Sequence, residues 1–139
     1  YARIDWKILT ENLGDTELAK KTVEGFLRAA IHAIPTGKQN SFAQQSKPDF
    51  LLGVVRSDGE SWSLANAFEK PVRPGNDGYV TPSIIAADKY WGWLAGKYGD
   101  GKFTPSVLLL DDEVQLKNLK DAVKGSLKEW VESLLMGLE

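Results

Sequence analysis

The stretch Asp49-Phe-Leu-Leu-Gly-Val-Val-Arg56-Ser-Asp-Gly-Glu60-Ser-Trp-Ser-Leu-Ala65 decides the fold that the sequence predicts. Its first part is an apolar run of strand length, which is typical of a buried central strand. Ser57–Glu60 contains Asp-Gly, a pair that readily accepts the positive φ angles of a tight reversal. Ser61–Ala65 is therefore predicted as the returning strand of a hairpin, and the pattern indicates a small antiparallel sheet.

Residues on both sides of this stretch predict a mixture of helices and strands. The alternation in Tyr1–Lys7 indicates a strand, and Ser106–Leu110 a short buried one. Helices are predicted after Asp15 or Thr16 up to Pro35, from Thr81-Pro82 to Gly99, and from Leu116 onward with an interruption near Gly125. This order predicts an α+β domain with a small sheet covered by helices on one face, to which half of a split βαβ, ferredoxin-like unit fits.

Size and composition set limits on the class of protein. The length of 139 residues predicts one domain with a substantial core. There is no cysteine, which excludes disulfides and thiolate metal sites. No apolar run approaches the roughly 18 residues that would span a bilayer, and Tyr1–Lys7 does not resemble a signal peptide. We therefore expect a cytoplasmic protein without membrane contact, and no cofactor is predicted.

The charge of the chain is close to balanced, but it is unevenly distributed. The net charge of -2 and the pI near 5.5 argue against a strongly basic nucleic-acid binder. Residues 107–139 hold seven acids and four lysines, whereas residues 36–73 hold five bases and four acids. The middle of the chain is therefore the region that we expect to face an anion.

The loop Pro35-Thr-Gly-Lys-Gln-Asn-Ser-Phe-Ala43 combines a helix stop, a glycine, one cation and three polar side chains. These groups could hold a polyanion by its phosphates, although a plain polar connection is the alternative interpretation. The loop is not a P-loop, because the first glycine is missing, no Ser or Thr follows the lysine directly, and a helix precedes it. The candidate ligating residues are Lys38, Gln39, Asn40 and Ser41.

Two further groups of residues could carry function. Asp111-Asp112-Glu113 could bind a metal ion, but acids between a strand and a helix are more often caps or solvated turns. Among the aromatic residues, Trp62, Phe68 and Trp93 are candidate stacking platforms for bases, whereas Trp91 lies on the core stripe of its helix. Phe68 stands close to Lys70 and Arg73 in a long irregular segment, so it is the aromatic that we expect nearest a ligand; the alternative interpretation is a hydrophobic plug that pins the loop.

Short motifs along most of the chain resemble the carboxy-terminal part of the CasC-type backbone subunit of the type I-E CRISPR Cascade complex. The most specific is Ser63-Leu-Ala-Asn-Ala-Phe-Glu-Lys70, and the others are Tyr1-Ala-x-Ile4, Glu11-Asn-Leu-Gly14, Pro35–Ala43, Lys47-Pro-Asp49 and Pro82-Ser83. Such subunits have an RRM-like palm, inserted helical fingers and a β-hairpin thumb. The resemblance implies that residues 1–139 are the carboxy-terminal part of an RRM-like palm, without fingers and thumb.

The resemblance also implies a function and partners. It implies a non-enzymatic scaffold in antiviral defence that grips the phosphates of a CRISPR RNA while base pairing reads sequence. The implied partners are the CRISPR RNA, the target DNA strand, neighbouring copies of the subunit and other Cascade subunits. Matching positions beside the guide are Lys38, Gln39, Lys70 and Arg73, to which the chemistry of the loop adds Asn40 and Ser41.

Two other hypotheses belong to different classes. One is a metal-dependent RNA endonuclease of a CRISPR system that uses Asp111, Asp112 and Glu113. The other is an orphan half-domain that self-associates through an exposed sheet edge.

Overall fold

The computed structural model describes residues 1–33, 46–58, 60–76 and 78–138. The chain divides into two compact units, one built on Tyr1–Pro48 and the other on Asp49–Gly137. None of the helices in these described ranges is long and apolar enough to cross a membrane.

The first unit contains two helices that contact each other, α1 (Trp6–Leu13) and α2 (Thr16–His32). The carboxylate of Asp5 caps α1 by accepting a hydrogen bond from the Ile8 amide at 3.1 Å. Gly14 ends α1 with a φ of 64°, a left-handed conformation that glycine adopts without steric cost. Asp15 then caps α2, so the predicted start of this helix is confirmed.

The second unit contains three strands and two helices: β1 (Phe50–Arg56), α3 (Val80–Tyr98), β2 (Phe103–Leu109), β3 (Val123–Lys124) and α4 (Leu127–Met136). Short 3₁₀ helices occupy Ala65–Phe68 and Lys120–Ala122. The strand order is β1-β2-β3. β1 and β2 are antiparallel, with Phe50 opposite Leu109, whereas β2 and β3 are parallel. The sheet is therefore mixed, and the predicted purely antiparallel sheet is wrong.

Helices pack on both faces of this sheet. Phe50, Leu52 and Val54 of β1 contact the main core cluster, which includes Trp91 of α3. The other face of β1 lies against α4, where a Cβ at Gly53 would come within 2.5 Å of the Leu134 side chain. Because successive residues of a strand point to opposite faces, one strand meets both helices. The prediction that one face is covered is thus corrected to a sheet between α3 and α4.

The predicted hairpin does not form. Ser61–Leu64 has no strand pairing, and Ala65 already begins a 3₁₀ helix. The Trp62 ring instead packs at 5.5 Å from the Trp91 ring and at 5.2 Å from the Phe103 ring, measured between centroids. Aromatic packing therefore draws this segment out of the sheet, and β2 takes the place beside β1 that was predicted for Ser61–Ala65.

Two other predicted elements are also wrong. Tyr1–Lys7 forms no strand, because Asp5 acts as the helix cap and α1 begins at Trp6. The helix predicted from Leu116 is replaced by a loop, a 3₁₀ turn and β3, and the helix proper begins at Leu127 after the Ser126 cap. The predicted helix end at Gly99 is confirmed, and the strand predicted at Ser106–Leu110 is observed as β2, which begins earlier and ends at Leu109.

Candidate nucleic-acid-binding surface

Lys70 and Arg73 lie in the irregular segment between the 3₁₀ helix Ala65–Phe68 and the start of α3. Both residues are exposed. Neither side chain has an ion pair or a hydrogen bond with another residue in the described ranges. Two cations held three positions apart with unoccupied donors can contact the phosphates of a nucleic-acid backbone. Phe68, just before them, is 46% exposed.

A tight turn follows Arg73 and shapes the surface beside it. The Gly75 amide donates to the Gly78 carbonyl at 2.8 Å, and the return bond is 3.3 Å long. Gly78 has a φ of 102°, which favours glycine at this position. The turn borders a depression of about 410 Å³ that is lined by Gly75, Asn76, Gly78, Thr81, Pro82 and Ile85.

Arg56, another base of the predicted anion-facing region, points inward. Its side chain is 6% exposed, and its guanidinium lies 4.4 Å from the centre of the Trp62 ring. Its Nε donates to Asp58 Oδ1 at 2.8 Å, and its second contact with the Asp58 carboxylate completes a paired hydrogen bond. Arg56 is therefore not available to an external phosphate, and its charge should be omitted when the surface is assessed.

The same contact sets the protonation of both partners. The hydrogen bond from Arg56 lowers the pKa of Asp58 to about 2 from its ordinary value of 3.8. Because the Asp58 carboxylate accepts this hydrogen bond, the pKa of Arg56 is raised. The pair thus stays ionised at the end of β1.

The remaining candidates are four polar residues of the predicted loop before β1 and three consecutive acids after β2. Lys38, Gln39, Asn40 and Ser41 lie outside the described residues. Asp111, Asp112 and Glu113 are exposed, and Asp111 Oδ1 accepts a hydrogen bond from the Glu113 amide at 2.9 Å. The described part of the chain contains no group of three or more His, Cys, Asp or Glu residues placed to hold a metal ion. The acids therefore form a turn, as the alternative interpretation expects.

The aromatic candidates separate into core and surface residues. Trp62 and Trp91 pack together beneath the sheet, so neither is a free stacking platform. Trp93 is 59% exposed, and it stands with Lys89 and Tyr90 on the outer side of α3.

Sequence reasoning missed the residue that organises the loop after β2. The Asp88 side chain on α3 is buried, and its two carboxylate oxygens accept hydrogen bonds from the amides of three consecutive residues, Lys117, Asn118 and Leu119, at 2.8–3.0 Å. The Asn118 side chain adds a bond to the carboxylate at 3.0 Å and another to the Asp88 carbonyl at 3.1 Å. An acid on the apolar stripe of a predicted helix was the available signal, since a buried carboxylate needs such partners.

Solved structures that are similar to this chain include two from CRISPR RNA-guided surveillance complexes. A chain described as "CRISPR RNA-guided surveillance complex" matches with a TM-score of 0.87 and 28% identity, over 96% of this chain and 50% of that chain. A chain described as "CRISPR RNA-guided surveillance complex, pre-nicking" matches with a TM-score of 0.86 and 27% identity, over 98% of this chain and 36% of that chain. No curated protein sequence matches. This chain thus spans half or less of the length of the chains that it resembles.

These similarities define the class: an α+β fold that is shared with chains of CRISPR RNA-guided surveillance complexes. The family is given by a sequence model described as CT1975-like protein, which matches residues 1–133. The chain belongs to this family of CT1975-like Cas proteins.

Proposed function

We propose that this chain is a non-enzymatic, CRISPR RNA-binding backbone subunit of a Cascade-type surveillance complex in antiviral defence, of the CasC type and of type I-E. It forms the carboxy-terminal part of an RRM-like palm. Its partners are the CRISPR RNA, the target DNA strand, neighbouring copies of itself and other Cascade subunits.

One observation carries this proposal: almost the whole chain superimposes on chains of CRISPR RNA-guided surveillance complexes, with sequence identity of 27–28%. Lys70 and Arg73 support it, because they are exposed and have no ion pair with any residue that the structure describes, and guide binding needs phosphate contacts rather than base-specific ones. Lys38, Gln39, Asn40 and Ser41 supply the second set of contacts in the proposal. A chain with a net charge of -2 has no net electrostatic attraction for a polyanion, so a few phosphate contacts per subunit must add up over repeated subunits on one RNA.

The test replaces Lys38 and Arg73 with alanine in the complete protein, which is assembled with partner subunits and a guide. Retention of the guide is measured by filter binding at several salt concentrations, with two guides of unrelated sequence. We expect both guides to be weakened by the same factor, because the lost contacts are to phosphates. The matched control is Lys128→Ala, which removes an exposed lysine from α4 that pairs with Glu132 at 3.8 Å.

Two results would contradict the proposal. One is a loss that is confined to a single guide sequence, since phosphate contacts do not distinguish sequences. The other is unchanged guide retention at every salt concentration, including the lowest. RNA cleavage by the purified protein that needs magnesium and disappears in Asp112→Asn would instead favour the endonuclease hypothesis.

A further inference from the structure

The outer face of α3 carries an aromatic group that the proposed function does not use. Trp93 is 59% exposed, and the Tyr90 ring meets it edge-on, with centroids 6.3 Å apart. The Lys89 ammonium lies 5.0 Å from the centre of the indole ring. Lys97, one turn further along α3, is exposed as well. An indole ring, a phenol and two ammonium groups therefore share one stretch of helix surface.

Trp93 differs from the other tryptophans of its structural unit. Trp62 packs between Trp91 and Phe103, and Trp91 itself is only 4% exposed. Trp130 is also 4% exposed, and its ring N–H donates to the Ser106 carbonyl at 3.0 Å. Each of these rings thus has a packing role inside the fold. The indole face of Trp93 remains accessible, which leaves it able to stack on a planar ligand.

The charge on this face of α3 has one sign. Asp88 is the one acidic residue between Val80 and Tyr98, and it is buried with its carboxylate bound to the amides of residues 117–119. The exposed charges of α3 are therefore those of Lys89 and Lys97. An accessible aromatic ring flanked by cations, without an accessible acid on the same helix, is the arrangement that binds single-stranded nucleic acid.

We propose that the outer face of α3, centred on Trp93, is a stacking site for an unpaired base of single-stranded nucleic acid, with Lys89 and Lys97 contacting the adjacent phosphates. Stacking accepts any base, because every base has a π-face, so the site has little sequence preference. The site uses none of the residues of the proposed guide contact, so a negative result for one of the two sites does not decide the other.

The test titrates the 139-residue chain with oligouridylate and with oligothymidylate, and it follows both tryptophan fluorescence and the anisotropy of a labelled oligonucleotide. Trp93→Ala should weaken binding by about tenfold and remove most of the fluorescence quenching, whereas Trp93→Phe should keep most of the affinity. Lys89→Ala and Lys97→Ala should each reduce the slope of log K against log salt by about 0.7, and Lys128→Ala should leave it unchanged. The two oligonucleotides distinguish RNA from DNA as the ligand.

Control measurements distinguish the stacking site from the proposed guide contact and from self-association. Because stacking needs an unpaired base, Trp93→Ala should not affect binding of the same oligonucleotide in a duplex. Lys70→Ala with Arg73→Ala should leave the quenching of Trp93 intact, so failure of the guide contact does not imitate failure of this site. The proposal is overturned if the wild-type chain binds no single strand at low salt, or if Trp93→Ala binds as the wild type does. Self-association that Trp93→Ala abolishes, with unchanged oligonucleotide binding, would assign the face to a protein contact instead.

Discussion

At the scale of single residues, the buried carboxylate of Asp88 is the hydrogen-bond acceptor for a whole loop of the second unit. Its carboxylate accepts from three backbone amides and one side-chain amide, all at 2.8–3.2 Å. A carboxylate offers acceptors at both oxygens, whereas an amide side chain must present a donor at one of them. Replacement by asparagine therefore places a donor against backbone donors in a buried site.

We predict that Asp88→Asn lowers the free energy of unfolding by about 2–4 kcal/mol, because buried amides lose their acceptor. Urea denaturation followed by circular dichroism measures this loss. The matched control is Asp112→Asn, whose side chain is exposed. Equal midpoints for the two variants would contradict the role assigned to Asp88.

Two glycines of α3 should respond in opposite ways to the same substitution. A Cβ at Gly92 would lie 2.2 Å from Asn118 Oδ1, whereas a Cβ at Gly96 would meet nothing within 4 Å. The Asn118 side chain cannot swing away freely, because it donates to one carboxylate oxygen and to the backbone carbonyl of Asp88. We predict that Gly92→Ala destabilises the protein by about 1–3 kcal/mol and that Gly96→Ala stabilises it by about 0.5–1 kcal/mol, since alanine favours helix. Thermal denaturation of the pair checks both signs, and stabilisation by Gly92→Ala would be incompatible with the close approach.

At the scale of elements, the turn after β1 depends on the ion pair between Arg56 and Asp58. The folded pKa of Asp58, about 2, lies below its ordinary value of 3.8, so the folded state favours the carboxylate. This stabilisation is fully present above the ordinary pKa and is lost as pH falls from about 4 through about 2. We predict that the difference in urea midpoint between the wild type and Asp58→Asn is constant above about pH 5 and disappears only below about pH 2.

A double-mutant cycle isolates the partner in this effect. In an Arg56→Met background, Asp58→Asn should change the midpoint little at any pH, because the guanidinium that lowers the pKa of Asp58 is gone. An undiminished difference in that background would show that another group carries the pH dependence.

Elements that depend on local signals could be predicted from the sequence. The Asp15 cap, the stop of α3 at Gly99 and the apolar run of β1 are each encoded within a few residues. Two of the wrong predictions, the returning strand at Ser61–Ala65 and the helix from Leu116, concern segments whose partners are distant in sequence. Ser61–Leu64 follows Trp62 into the packing with Trp91 and Phe103, and residues 116–119 take their path from Asp88, about thirty positions earlier.

In the candidate site, too, the exposed residues could be predicted from the sequence, whereas the inward orientation of Arg56 could not. The exposure of Lys70 and Arg73 agrees with what a loop of polar residues predicts. The inward orientation of Arg56 could not be predicted, because it depends on Trp62, Phe103 and Asp100 surrounding one guanidinium. A count of charges along the sequence therefore overstated the positive charge available in the middle of the chain.

At the scale of the whole molecule, weak and salt-dependent RNA binding is expected. The net charge is -2, and Lys70 and Arg73 are the cations of the candidate surface that the structure describes. The slope of log K against log salt is negative, and for single strands each phosphate contact makes it steeper by about 0.7. We predict that Lys70→Ala with Arg73→Ala reduces this slope by about 1.4 for a single-stranded RNA, measured by anisotropy across a salt series. Lys128→Ala is the control, and an unchanged slope in the double variant would remove these two residues from the contact.

The Asp88 cluster has a consequence for the rates at which backbone protons exchange with solvent. The amides of Lys117, Asn118 and Leu119 belong to no regular helix or strand, yet each donates to a carboxylate that is anchored on α3. Deuterium can enter these positions only when the loop separates from the helix. We expect their exchange, followed by NMR, to be as slow as that of the inner amides of α3 and to accelerate selectively in Asp88→Asn. An apparently irregular connection would then open and close as one cooperative unit with the helix that holds it.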